Sequence, residues 1–230
     1  MPHDTHWQHW HDQYSEADHP LNRRLSIIRA HIHRWFDDAS VRGHAETPLR
    51  VVSACAGDGR DVLTVLADRA DADGVQAVLV EIDPTLAEAA RQYATDVGLT
   101  NVEVRTADAG HAASYLGAVP ADLVLLCGVF GNVPDDDVRR TVSAVPQLAA
   151  PGATIIWTRS RRAPDLTSQI RAWFADVGCD EVAWNAPADE LFAVGVHRFA
   201  GTTKALETDQ TWFRFGTQDV DTTSVAQRHP

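Results

Sequence analysis

Two short stretches constrain this chain more than any others. Val51-Val52-Ser53-Ala54-Cys55-Ala56-Gly57-Asp58-Gly59-Arg60-Asp61 reads as an apolar strand, a tight glycine turn and a helix start. Val80-Glu81-Ile82-Asp83-Pro84 reads as a second strand that ends in a carboxylate. The carboxylate follows the glycines at roughly the 20-residue spacing of a nucleotide-binding β-α-β unit. Glycines let backbone approach a ligand closely, and an acid at the next strand end accepts hydrogen bonds from two ribose hydroxyls.

Strand and helix patterns continue from there. Strands are expected at about 49–54, 76–81, 101–106, 121–126 and 153–158. Helices are expected at about 59–71, 84–97, 111–116, 135–149 and 165–177. Two more strands, at about 180–185 and 192–199, are joined by a polar loop around Pro187 and Asp189 with no helix between them. That connection implies an antiparallel hairpin. Ahead of the unit, Leu21, Leu25, Ile28, Ile32 and Trp35 recur at spacings of three and four, one face of a helix. The predicted fold is α/β: a Rossmann-like, doubly wound, seven-stranded sheet, mostly parallel, with an antiparallel C-terminal hairpin. The chain divides into a helical extension at 1–45, a main domain at 46–200 and a tail at 201–230. Trp212, Phe213 and Phe215 are expected to pin part of the tail, with its last ten or so residues mobile.

Composition narrows the partners. The 230 residues carry 20 basic and 32 acidic side chains, a formal charge of -12. Nucleic-acid binders need a basic stripe, so none is expected as a partner. The one local cluster is Arg159, Arg161 and Arg162, near the carboxyl end of the fifth strand, where a substrate carboxylate or phosphate is a candidate ligand. No apolar run approaches the roughly 20 residues of a membrane span. The N-terminus lacks a basic-then-apolar signal, so no membrane is expected and the cytoplasm is the expected compartment. Cys55, Cys127 and Cys179 read as free thiols.

The motifs resemble those of the class I (Rossmann-like) S-adenosylmethionine-dependent methyltransferases, over about 45–200. Ala56-Gly57-Asp58-Gly59 is similar to the family's first motif. Glu81 stands where its ribose-binding acid ends strand two, and Ile82 where a side chain packs on adenine. Asp108-Ala109 resembles the acid after strand three that takes the adenine amino group. Asp122 to Asp135, including Cys127, Gly128, Phe130, Gly131 and Asn132, resembles the strand-four motif and the loop bordering the substrate. Two positions depart from the pattern. Ser53 replaces the usual acid of strand one, and Cys55 replaces the first glycine.

The resemblance implies S-adenosyl-L-methionine as cofactor and methyl transfer to a small molecule by in-line displacement. It also makes the N-terminal extension a lid, with Trp10, Tyr14 and Arg23 as pocket-lining candidates beside Phe130. Asn132 and His111 are the candidate catalytic residues, as a substrate hydrogen-bonder and a general base. His197 is a second histidine to weigh. A nicotinamide-dependent oxidoreductase competes as an alternative, but Val62 is bulky for the third position of a dinucleotide fingerprint. A degenerate fold used as a binding module is the other alternative. His6, His9 and His11 lack partners at ligand spacing, so no metal is expected. The sequence leaves monomer and homodimer open.

Overall fold

The structure is a computed structural model that describes residues 20–42 and 48–215. Trp10, Tyr14, the histidines at 6, 9 and 11, and the final segment expected to be mobile lie outside the described residues. The chain runs α1 (Pro20–Arg42), β1 (Leu49–Ala54), α2 (Val62–Ala67), β2 (Val75–Glu81), α3 (Pro84–Asp96) and β3 (Val102–Thr106). It continues through β4 (Ala121–Leu126), α4 (Asp135–Ser143), α5 (Val145–Leu148) and β5 (Ala149–Ser160). The remaining elements are α6 (Thr167–Asp176), β6 (Cys179–Asn185) and β7 (Phe192–Phe199).

The strands form one sheet in the order β3-β2-β1-β4-β5-β7-β6. The first five are parallel, and β7 is antiparallel to both β5 and β6. The predicted seven-stranded mixed sheet is therefore the fold. Strand order reverses direction between β1 and β4, the switch point at which open α/β sheets carry ligands.

Alternation along the strands splits the core in two. Val52, Ala54, Val124, Leu126, Ile155 and Trp157 face one layer. Val51, Leu123, Leu125 and Ile156 face the other, where α1 contributes Ile28, Ile32, Trp35 and Phe36. The described part of the N-terminal extension is thus a packed core helix. Its apolar stripe falls where the spacing predicts it, with Leu25, Ile28, Ile32 and Trp35 all buried.

Several boundaries differ from expectation. The helix after β1 begins at Val62 instead of Gly59, because Gly59 sits at φ +72° and Asp61 caps the helix by accepting the Val62 N–H at 2.8 Å. The helix expected at 135–149 breaks into α4 and α5, and Ala149 already belongs to β5. Pro151-Gly152 lies within that strand, where its pairing with β4 shifts register between Ala121 and Leu123. The helix expected at 111–116 is one short 3-10 turn, Ala112–Tyr115.

The segment beyond β7 packs firmly up to Phe215. Trp212 and Phe213 are fully buried, and Trp212 stacks on Tyr115 with ring centroids 5.4 Å apart. Trp212 donates its N–H to the Gly110 carbonyl, and Ala112 donates to Gln210. A strap from 201 to 215 therefore binds the loop after β3.

Candidate active site

At the carboxyl ends of β1, β2 and β4 lies a narrow cleft of about 80 Å³. Cys55 and Ala56 from the glycine turn, Glu81 and Ile82, Cys127 and Gly128, and Asn132 line it. Arg24, Leu25 and Ile28 of α1, Asp61, Leu86 and Phe215 close it from other sides.

Glu81 anchors this cleft. Its Oε2 accepts the Gly57 N–H at 2.8 Å, and its Oε1 accepts the Asp83 N–H at 2.8 Å. Each oxygen keeps a lone pair for a further donor. Burial pushes the carboxyl up, and the N–H bonds from Asp83 and Gly57 oppose that rise. Beside it, Ile82 leaves 52% of its surface exposed, an apolar face at the cleft wall. Asp83 caps α3 by accepting the Thr85 and Leu86 N–H groups, which fixes the chain direction just past Glu81.

The turn beneath is built without its first glycine. Cys55 adopts φ +53°, the left-handed region that non-glycine residues seldom enter. Gly59 cannot be replaced in the same way, because a Cβ there would sit 2.6 Å from Leu63 and 2.7 Å from Leu79. Burial pushes the Cys55 and Cys127 thiols well up, so both are neutral walls of the cleft.

Sequence reasoning missed Asp61. This carboxyl is buried at the cleft wall, and burial pushes it up to about 6. Ser53, at the position of the usual strand-one acid, is buried and its hydroxyl has no hydrogen-bond partner among the described residues. The acid is thus present at the cleft, on the helix start instead of the strand. The cue was available: an Asp directly before an apolar helical run is a cap.

A larger cavity of about 710 Å³ adjoins the cleft and shares Arg24, Gly128 and Asn132 with it. Thr158, Arg159 and Ser160 of β5, Arg162, and Leu191 and Phe192 complete much of its wall. Asn132 folds back so that its Nδ2 donates to the Gly128 carbonyl at 2.6 Å.

Other candidates fall elsewhere. Phe130 is fully buried against Trp157 and Phe174, so it is core and faces neither cavity. Arg23 lines neither cavity and pairs with Asp189 at 2.7 Å and Glu190 at 3.2 Å; its neighbour Arg24 lines both cavities. Arg24 lies four residues before Ile28, on the buried stripe, which is the signal that separates the two arginines. His111 is exposed, 3.4 Å from Asp108 and 3.3 Å from Thr211, and lines neither cavity. Asp108 accepts the Gly110 N–H and, with Ala109, lies outside the cleft wall. Asp58 is in an ion pair with Arg60 at the turn. His197 is buried, accepts the Trp157 indole N–H at 3.1 Å, and is pushed down to about 4 by burial, which makes it a neutral core residue.

This sheet order, with a cleft over the first two strands and a chamber over the fourth and fifth, defines the class I methyltransferase fold. Residues 22–184 match the family described as "Putative methyltransferase", and the chain belongs to that family. The fold is similar to magnesium protoporphyrin IX methyltransferase from Synechocystis PCC 6803 with bound S-adenosylmethionine. That match has 15% identity, covers 76% of this chain and 79% of the other, and has a TM-score of 0.59. An O-methyltransferase family protein from Burkholderia thailandensis matches with 16% identity over 82% and 63% of the two chains, TM-score 0.55. The carbon methyltransferase CurJ matches with 14% identity over 76% and 55%, TM-score 0.60. No match is found among curated proteins. Among the described residues, no helix is long and apolar enough to cross a membrane, and no group of three or more His, Cys, Asp or Glu is placed to hold a metal ion.

Proposed function

We propose that this protein transfers a methyl group from S-adenosyl-L-methionine to a small molecule, with residues 46–200 as the methyltransferase domain. The observation that carries the reading is Glu81, fixed by two backbone N–H groups beside an exposed Ile82 at the second strand end. Carboxylate lone pairs suit two ribose hydroxyls, and the bare Ile82 face suits an adenine ring. The bound cofactor supplies a methyl already activated on a sulfonium, so the protein need only align, desolvate and, for some acceptors, deprotonate.

The chain's residues divide these tasks. Glu81 and the Ala56–Gly59 turn hold the nucleoside and methionine parts. Asp61 brings negative charge to a wall that otherwise lacks the strand-one acid. Cys127 and Gly128 form the floor between cleft and chamber, and Asn132 presents its amide at their junction. Arg24, Leu25, Ile28 and Phe215 exclude water.

Calorimetric titration with S-adenosylmethionine, S-adenosylhomocysteine and NAD tests the cofactor. Micromolar binding of both sulfur nucleosides without NAD is the expected result. Binding of NAD alone would replace this reading with the oxidoreductase. Binding of none of the three would move the weight to the degenerate fold used as a binding module, or to a lid that closes only when substrate is present.

A further inference from the structure

The larger chamber is lined by arginines in a protein whose formal charge is -12. Its two acids are already engaged: Asp189 and Glu190 both bond Arg23, which stands outside the chamber wall. Arg159 is nearly buried, 12% exposed, and is held in place by the Phe130 carbonyl and by Asp135 Oδ1 at 3.0 Å. Those bonds use two of its five N–H donors. Arg162 follows three residues later. Its backbone N–H bonds Ser160, and its guanidinium makes no hydrogen bond or ion pair among the described residues. Leu21, Leu191 and Phe192 give the same chamber an apolar side.

We infer that the chamber binds a small molecule with an apolar body and one oxyanion, carboxylate or phosphate, and that Arg162, supported by Arg159, receives the oxyanion. This rests on the methyl-transfer reading and names the class of acceptor. A guanidinium matches either oxyanion by paired N–H bonds, and a charge-assisted bond is about twice as strong as a neutral one. The lining also orders the acceptor within the chamber. Arg24, Gly128 and Asn132 are shared with the cofactor cleft, whereas Arg159, Arg162 and Leu191 belong to the chamber alone. The oxyanion is therefore an anchor, and the atom that takes the methyl lies at the other end of the molecule, next to Asn132.

The test uses benzoate, phenyl phosphate and the neutral benzamide as probes. Each is titrated into the whole protein, with and without saturating S-adenosylhomocysteine, for wild type, Arg162→Lys and Arg162→Glu. At least one anion should bind about tenfold or more tightly than benzamide to wild type. That preference should shrink in Arg162→Lys and vanish in Arg162→Glu, and the tighter anion tells carboxylate from phosphate. Equal binding of all three probes to wild type, or an anion preference that survives Arg162→Glu, overturns the inference. Arg162 is exposed, and S-adenosylhomocysteine affinity should be the same in all three proteins. Failure of wild type to bind that nucleoside counts against the cofactor reading. The titrations without it still decide the oxyanion question.

Discussion

The two halves of the sheet use close approach for opposite ends. Around β1 and β2 the backbone turns tightly, and the space left over is a cleft walled by polar and apolar groups with free bonding capacity. Where β5 and β7 meet α6, away from the chamber at their ends, the space is filled. Gly195 lies opposite Trp157, and a Cβ there would come within 2.3 Å of the indole. Trp157 stacks on Phe174, tilts against Phe130 and Trp184, and donates to His197. A missing side chain lets the turn pack down on Leu63 and Leu79 at Gly59 and makes room for an aromatic ring at Gly195. The halves should accordingly fail in different ways, one by losing binding and the other by losing stability.

Truncating the filled half gives the largest effect. Trp157→Ala should cost about 3–5 kcal/mol in urea unfolding, the range for removing a buried aromatic. Next is acid. Burial holds His197 near pKa 4 in the folded protein against the ordinary 6.5 of a free imidazole, so the unfolded chain takes up the proton first. Its contribution is complete above pH 6.5 and drains away as pH falls toward 4, by about 3 kcal/mol in all. Urea midpoints across that window should fall for wild type and fall less for His197→Gln. In the open half, Glu81→Ala should weaken S-adenosylmethionine binding by roughly 10- to 100-fold, with a smaller change in melting temperature, as calorimetry and thermal unfolding would read. Unchanged binding would remove the ribose assignment. Asp61, pushed up to about 6, is ionised only above that pH. Affinity for the cationic cofactor should therefore tighten by up to about tenfold from pH 5 to 7, and Asp61→Asn should flatten the profile. The smallest change is Cys55→Gly. Relief of the left-handed backbone should raise stability by about 0.5–1 kcal/mol and leave binding in place.

Legibility in the sequence followed the same division. β1 and β4 are mainly apolar, broken only by Arg50, Ser53 and Asp122, and their limits at 49–54 and 121–126 match the structure. The places of Glu81 at the end of β2 and of Gly57 in the turn were legible because a strand-end acid and a glycine turn are both local signals. Phe130 was misplaced because a motif fixes the chain's path but not which way an aromatic turns, and here the layer of Trp157 and Phe174 claimed it. Arg23 was chosen over Arg24 although a single residue rotates a helical side chain by about 100°. The early start of β5 was hidden by Pro151-Gly152, which reads as a turn and instead sits where the strand pairing shifts register. The approach of Phe215 to the cleft has no local signature, since it depends on Trp212 and Phe213 docking beside β3.

That last contact has a consequence for biosynthesis. The cleft brings together Leu25 and Ile28, which precede β1, and Phe215, which follows β7. Chains fold from the N-terminus as they are made, and translation runs at roughly 5–20 residues per second. A nascent chain therefore possesses the strands β1 to β4 and their turns long before it possesses a closed site. Ribosome-bound chains halted before the strap emerges should carry Glu81 in place and still hold the nucleoside poorly, so cofactor capture waits on residues made well after the turn that receives it.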